Sequence, residues 1–198
     1  HVMFALTTAK GSYQNNVWFY DSDLHEKEKK ENYVESHMHQ ALRDGEFQFY
    51  LQPKVDLRTG QLKGAEALVR WVKADGSMIY PDEFIPLFEQ NGFCTKLDLY
   101  MVECACRQIR QWMDEGTEPV GISVNQSKLL FYENDYITTL TNLIQKYDVP
   151  GNLITLEILE GLAADHGDEL NHKLSLLQEK VFRISMDDFG SGYSSLNI

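Results

Sequence analysis

The sequence predicts an α/β fold built on a mainly parallel sheet. Strand-like and helix-like segments alternate along most of the chain after Gly45. The strand-like segments are short apolar runs, and the segments between them carry apolar residues at helical spacing. Parallel strands need a crossover connection, which is usually a helix, so this alternation indicates repeated βα units.

The first part of the chain is a β-rich, aromatic run over residues 1–20, followed by a highly charged stretch. Within residues 25–40, apolar residues recur at helical spacing among the charges, which predicts a connector helix with a solvated face. Apolar and polar residues then alternate from Phe47 to Leu51, and Leu62 to Trp71 follows a turn. Two adjacent strands are therefore predicted.

Helices and strands alternate through the rest of the chain. Four helices are predicted. The first begins near Pro81-Asp82, and the second carries Leu97 to Trp112 and stops at Gly116. The third follows a cap at Asn134-Asp135, and the fourth includes Leu170 to Leu177. The predicted strands between and after them span residues 120–125, 153–159 and 182–189.

Composition and charge exclude several classes of function. Thirty acidic residues against eighteen basic ones give a formal net charge of −12 at pH 7. The positive surface that binds a nucleic-acid backbone is missing, so no nucleic-acid polymer is expected as a partner. No apolar run approaches the roughly 20 residues of a membrane span. We expect a cytoplasmic protein without membrane contact from this part of the chain, and an anchor elsewhere in the parent protein stays open.

The three cysteines carry no predicted function. Cys94, Cys104 and Cys106 are too few and wrongly spaced for a disulfide framework or a zinc site. They are predicted to be reduced, buried core residues.

Four successive predicted strands carry oxygen-bearing side chains at or near their ends: Glu66, Asn125, Glu157 and the pair Asp187-Asp188. In βα folds, functional groups gather at the carboxyl ends of the strands. An unpaired buried carboxylate costs several kcal/mol, so a positive group is expected among them. Hard oxygen donors without Cys or His favour Mg²⁺, Mn²⁺ or Ca²⁺ over zinc or copper. The pattern predicts a divalent-metal site.

Several motifs along the chain form an ordered set. They are Glu66 to Arg70, the Val124-Asn125 strand end, Glu157 to Glu160 and Asp187 to Leu196, together with Gln52-Pro53 and Pro81 to Pro86. This set resembles the EAL domain family of cyclic di-GMP phosphodiesterases from about Ala41 to the end of the chain, and the order of the motifs argues against chance agreement. Residues 1–24 are similar to the tail of a GGDEF domain. The resemblance implies a GGDEF remnant at 1–24, a connector helix at 25–40 and the N-terminal part of an EAL domain at 41–198.

The resemblance implies a TIM-like (β/α) barrel whose first strand runs antiparallel and whose mouth binds metal. By resemblance, one or two Mg²⁺ or Mn²⁺ ions would be held by Glu66, Asn125, Glu157, Asp187 and Asp188. Glu66, Asp187 and Asp188 would be catalytic, and Glu160 would support a metal ligand.

The family also implies a substrate and partners. Gln52 and Leu68 would line the nucleotide site, and the planar fork of Arg70 would bind a phosphate. The implied reaction is metal-dependent hydrolysis of cyclic di-GMP to linear pGpG. The expected protein partners are GGDEF and sensory domains of the same polypeptide, and the expected assembly is a homodimer.

Two departures from the family pattern bear on these expectations. Leu159 stands where the family usually has Thr or Ser, so a hydrogen bond beside Glu157 is expected to be missing. The chain stops at Ile198, whereas a (β/α)₈ barrel needs about 250 residues. We therefore expect an incomplete barrel of about five strands that is inactive alone, because the family's water-activating lysine lies further on. The alternatives are a non-catalytic EAL module that binds cyclic di-GMP or regulates a neighbour, and a generic TIM-like domain for another phosphorylated substrate.

Overall fold

Helix α1 (Ser22–Asp44) opens the part of the chain that the computed structural model describes, which comprises residues 22–159 and 167–187. The helix predicted over 25–40 is present and extends beyond both predicted ends. Its charged residues pair along the helix surface: Lys29 Nζ lies 2.8 Å from Glu26 Oε1, and Lys27 Nζ lies 3.8 Å from Glu31 Oε1. Such exposed pairs contribute little to stability, as expected for a solvated face. The chain divides into two compact units, His1–Gln40 and Ala41–Ile198.

The second unit alternates strands and helices. In chain order they are β1 (Phe47–Val55), β2 (Leu62–Val72), β3 (Met78–Ile79), α2 (Pro81–Asn91), α3 (Cys94–Asp114), β4 (Gly121–Gln126), α4 (Tyr136–Tyr147), β5 (Ile154–Leu159), α5 (Gly167–Glu179) and β6 (Arg183–Asp187). Short 3₁₀ helices at Lys128–Tyr132 and Gly151–Leu153 precede α4 and β5. The predicted α/β alternation is confirmed. None of the described helices combines the length and the apolar character needed to cross a membrane.

Local sequence signals explain the ends of α2, but not the start of α4. Proline occupies the first position of α2, where its missing N–H costs no helical hydrogen bond. Glu83 Oε2 accepts the Tyr80 N–H at 3.1 Å. Gly92 caps the C-terminus of α2, and its φ of 79° favours glycine. At α4, Asp135 holds the N-cap position, yet its side chain makes no capping hydrogen bond to any described residue. The predicted cap of α4 is wrong in this respect.

In the described part of the chain, six strands form one sheet in the order β1-β2-β4-β5-β6, with β3 beside β2. β1 runs antiparallel to β2, whereas β2, β4, β5 and β6 are parallel. The mainly parallel sheet is confirmed, and so is the antiparallel first strand that the family resemblance implies.

The register of the sheet separates an apolar face from a polar one. On the apolar face, Ala65 pairs with Ile122 and Val124 pairs with Leu156. The helices pack against this face, and the core they form includes Met101, Ala105 and Ile109 of α3, Leu140 of α4 and Leu177 of α5. All three cysteines are buried and free, as predicted. Because side chains alternate along a strand, the residues between these core positions point to the opposite face.

Gly64 permits the close approach of β2 and β4. A Cβ atom at Gly64 would lie 2.9 Å from the carbonyl oxygen of Gly121, whereas a Cβ at Gly121 would meet Leu153 O at an ordinary 3.7 Å. We expect Gly64→Ala to lower the free energy of unfolding by about 1–3 kcal/mol, the usual cost of overpacking. Gly121→Ala, in the neighbouring strand, is the matched control and should be close to neutral. Urea denaturation of both variants measures the free energy of unfolding, and an equal decrease in the two variants would contradict the close-approach role of Gly64.

Candidate active site

Neighbouring strands contribute polar side chains to the second face of the sheet. Gln52 of β1 pairs with Glu66 of β2, which pairs with Ser123 of β4. Asn125 of β4 pairs with Glu157 of β5. Paired residues of adjacent strands point to the same side of a sheet. These residues therefore form one polar patch toward the carboxyl ends of β4 and β5.

Lys54 of β1 lies at the centre of this patch. Its Nζ donates to Glu157 Oε1 at 2.6 Å and to Ser123 Oγ at 2.7 Å, and it lies 3.6 Å from Glu66 Oε2. Asn125 Nδ2 donates to Glu66 Oε1 at 3.3 Å. Glu66 and Glu157, which the sequence predicts as metal ligands, thus share one ammonium group, and Asn125, a third predicted ligand, is hydrogen-bonded to Glu66.

Sequence reasoning missed Lys54, although it predicts a positive group among the acids. The signal that identifies it is its position two residues after Gln52, which places both side chains on the same face of β1. Burial acts to lower the pKa of Lys54, but the hydrogen bond and charge of Glu157, with the charge of Glu66, outweigh it and raise the pKa. The lysine is therefore an ammonium ion at neutral pH.

The oxygen donors of the patch fit a hard divalent cation. Glu157 is 7% exposed, and its buried Oε2 has no hydrogen-bond partner among the described residues. A buried acceptor of this kind is costly unless a cation or donor satisfies it. Glu66 and Asn125 add carboxylate and amide oxygens, the donors that Mg²⁺ and Mn²⁺ prefer.

The described residues supply only part of the predicted ligand set. No group of three or more His, Cys, Asp or Glu side chains comes together within 22–159 and 167–187. Asp187 is the last residue of β6 and pairs in register with Leu159, two residues beyond Glu157. The side chains of Asp187 and Leu159 lie outside the described part, as do the whole residues Glu160 and Asp188.

A cavity of about 270 Å³ adjoins the polar patch. Its wall includes Asn125 and Glu157 from the patch and Leu68 and Arg70, two of the predicted substrate residues. Arg70 is partly buried, and its Nη1 donates to the carbonyl oxygen of Val69 at 2.8 Å. Gln52, the third predicted substrate residue, lies on β1 opposite Glu66. The cavity thus offers a guanidinium group beside the oxygen donors.

The cavity wall also carries Asp98 of α3, a titratable group that was not identifiable from the sequence. Its Oδ2 accepts the backbone N–H of Ser127 at 2.7 Å, just after the end of β4. Burial raises the pKa of Asp98 to about 7, although the hydrogen bond from Ser127 acts in the opposite direction. A lone aspartate on a helix gives no periodic signal, because its environment is created by tertiary packing.

We expect Asp98→Asn to stabilise the protein above neutral pH. The folded-state pKa of about 7 lies above the ordinary value of 3.8, so the folded state binds this proton more tightly than the unfolded state. Stability therefore falls as the pH rises from about 4 to about 7, by about 2–4 kcal/mol. Asparagine cannot ionise but still offers an oxygen to Ser127. Urea denaturation at pH 4 and pH 8 should show equal stability at pH 4 and a more stable variant at pH 8; parallel pH profiles would contradict the assignment.

Comparison with known proteins gives consistent matches. The family described as EAL domain matches residues 35–197. The signaling protein YkoW of Bacillus subtilis is 31% identical over 193 residues, which are 98% of this chain and 24% of that protein. The bifunctional diguanylate cyclase/cyclic di-GMP phosphodiesterase MucR of Pseudomonas aeruginosa is 31% identical over 192 residues, or 97% of this chain and 28% of that protein.

Solved structures give the same match. A structure described as the PaMucR phosphodiesterase in complex with c-di-GMP is similar with a TM-score of 0.76 and 33% sequence identity, covering 82% of this chain and 66% of the other. The chain therefore spans about a quarter of the length of the curated relatives above and about two thirds of this solved domain.

Proposed function

The chain belongs to the EAL domain family, and from this premise we propose that its function is the metal-dependent hydrolysis of cyclic di-GMP to linear pGpG. The mixed α/β sheet with an antiparallel first strand fits the TIM-like fold of the family. The observation that carries the proposal is that Glu66 and Glu157 share one positive charge on the polar face of the sheet, with Asn125 hydrogen-bonded to Glu66.

The proposed cofactor is Mg²⁺ or Mn²⁺, held by Glu66, Asn125 and Glu157 together with Asp187 and Asp188. Support comes from the all-oxygen donor set and from the buried Glu157 Oε2 that lacks a partner among the described residues. A divalent ion in such a site supplies positive charge for a phosphate and lowers the pKa of water. The 3.3 Å hydrogen bond from Asn125 keeps the Glu66 carboxylate oriented, and Glu160 is proposed to support a ligand.

The substrate site is proposed to comprise the cavity and the adjoining polar patch. Leu68 would lie along the nucleotide and Arg70 on a phosphate at the cavity wall, and Gln52 would contact the nucleotide from the patch. The carboxylates alone would repel an anionic dinucleotide, so binding depends on the positive groups of the site. The hydrogen bond of Arg70 to Val69 O restrains the guanidinium. Its planar fork can then donate two parallel hydrogen bonds to a phosphate.

We expect Arg70→Lys to raise the KM for cyclic di-GMP about tenfold and to leave kcat within a few-fold of the wild type. A lysine keeps the charge but loses the two-pronged donor geometry, a difference of the order of one charge-assisted hydrogen bond. Arg58 is 91% exposed on the β1–β2 connection, and Arg58→Lys is the matched control. Steady-state kinetics separate the two constants, and an unchanged KM would remove Arg70 from the phosphate site.

The proposed partners are cyclic di-GMP and a GGDEF domain of the same polypeptide. Support for the second comes from MucR, whose description combines a diguanylate cyclase with a phosphodiesterase and of which this chain spans 28%. The homodimer, the cytoplasmic location, the GGDEF remnant at 1–24 and the inactivity of residues 1–198 alone stay predictions.

The decisive experiment is incubation of the full-length protein with cyclic di-GMP in Mg²⁺, in Mn²⁺ and in EDTA, with chromatographic detection of pGpG. Product is expected with either metal and not in EDTA. Tight binding of cyclic di-GMP without any pGpG would replace the proposed enzyme with a non-catalytic binding module. If the protein neither binds cyclic di-GMP nor forms pGpG, both the proposed enzyme and the non-catalytic binding module are overturned.

A further inference from the structure

Lys54 lies where two of the proposed metal ligands face each other. The ammonium is 2.6 Å from Glu157 Oε1 and 3.6 Å from Glu66 Oε2, and Ser123 Oγ accepts a third contact at 2.7 Å. From this geometry we propose that Lys54 is an internal counter-cation that competes with the divalent metal for Glu66 and Glu157 and thereby sets the metal affinity of the site. The inference rests on the proposed function, because it requires metal to bind there.

Competition follows from the contacts themselves. Glu157 Oε1 accepts a hydrogen bond from the Lys54 ammonium at 2.6 Å, and Mg²⁺ would approach a carboxylate oxygen to about 2.0–2.1 Å. An ammonium ion and a divalent ion on the same pair of carboxylates would lie within a few ångströms of each other. Their repulsion is weakly screened beside a buried group, so one must leave when the other binds.

Lys54 is the partner able to leave. Its side chain is 45% exposed, whereas that of Glu157 is 8% exposed. In the register of β1 and β2 the residue opposite Lys54 is Gly64, which has no side chain to confine the lysine. The register also shifts between Lys54 and Val55, and such irregularities re-aim the side chains next to them. A flexible four-carbon stem can therefore swing the ammonium toward solvent while the carboxylates stay in place.

The same lysine stabilises the carboxylates when no metal is bound. Glu157 is a buried acid, and Lys54 is the described residue that forms an ion pair with it. Removing the ammonium would leave two neighbouring carboxylates with reduced compensation, which favours any other cation that reaches them. Lys54 is thus a positioning residue with two opposite effects: it supports the protein without metal and weakens metal binding.

The test is calorimetric titration with Mn²⁺ of wild-type protein and Lys54→Met, both first treated with EDTA, together with thermal melts. Compared with the wild type, Lys54→Met should bind Mn²⁺ about tenfold more tightly and melt at a lower temperature in EDTA. Its Tm should also rise more than that of the wild type when Mn²⁺ is added. Lys63→Met is the matched control, because Lys63 is exposed on β2 beside Gly64; both its affinity and its Tm should stay at wild-type values. Lys54→Gln, which keeps a polar tip, serves in place of Lys54→Met if the latter does not fold.

The outcomes separate this inference from the proposed function. Wild-type binding of Mn²⁺ with equal or weaker binding by the lysine variants would overturn the role of Lys54 and leave the metal site standing. Binding by the variants but not by the wild type would support competition in its strongest form. No binding by any of the proteins would overturn the metal site, and the role of Lys54 with it.

Discussion

Glu157→Gln is expected to lower the rate of cyclic di-GMP hydrolysis at least about 100-fold. Changes to groups that merely support a metal ligand typically cost 10–100-fold in affinity or activity, and Glu157 is proposed to be a ligand itself. Its carboxylate is buried, and its Oε1 accepts a hydrogen bond from Lys54. Its Oε2 has no hydrogen-bond partner among the described residues. Glutamine keeps the shape but replaces one acceptor oxygen by a donor and removes the negative charge.

Steady-state rates of pGpG formation at saturating Mn²⁺ measure this effect. Glu118→Gln changes an exposed glutamate in the connection before β4 and should behave as wild type. A thermal melt establishes that Glu157→Gln is folded. Glu66→Ala reports on the same site through Mn²⁺ affinity, which should fall sharply. A wild-type rate for Glu157→Gln would remove Glu157 from the site, and unchanged Mn²⁺ affinity for Glu66→Ala would do the same for Glu66.

The elements that the sequence predicts well are those whose pattern is local and long. β2 and α3 each carry a periodic apolar pattern over ten residues or more. β3 has two residues, which is too few to show any period. The missing side-chain cap at Asp135 has a similar origin, because Asn, Asp and Ser are also frequent in turns that make no cap.

The acidic residues of the candidate site could be predicted from the sequence, whereas its lysine could not. Glu66, Asn125 and Glu157 stand out because polar residues on buried strands are rare. Lys54 is separated by 69 positions from Ser123 and by 103 from Glu157, so its contacts exist only once β1 has paired in the correct register with β2. Asp98 is similar: its link to Ser127 joins α3 to the end of β4 across 29 positions. Side chains whose role arises from such distant pairing carry no local signature.

The register of β1 on β2 is itself stabilised by an aromatic cluster, and Trp71 is the residue whose loss should cost the most. Trp71 is fully buried, and its ring centroid lies 4.8 Å from that of Phe47, 5.8 Å from Phe84 and 6.1 Å from Phe88. Its Nε1 donates to Glu46 Oε2 at 2.8 Å. Phe47 and Trp71 are paired across the two strands.

Trp71→Ala is therefore expected to lower the free energy of unfolding by about 3–5 kcal/mol, the usual cost of deleting a large buried ring. Trp71→Phe keeps most of the ring contacts and loses the hydrogen bond to Glu46, so about 1–2 kcal/mol is expected. Urea denaturation measures both, and a loss below 1 kcal/mol for Trp71→Ala would contradict the role of the cluster. A slip of one residue in β1 would turn Lys54 to the opposite face of the sheet and away from Glu66 and Glu157. If Trp71→Ala permits such a slip, the folded variant should bind Mn²⁺ more tightly than folded Trp71→Phe.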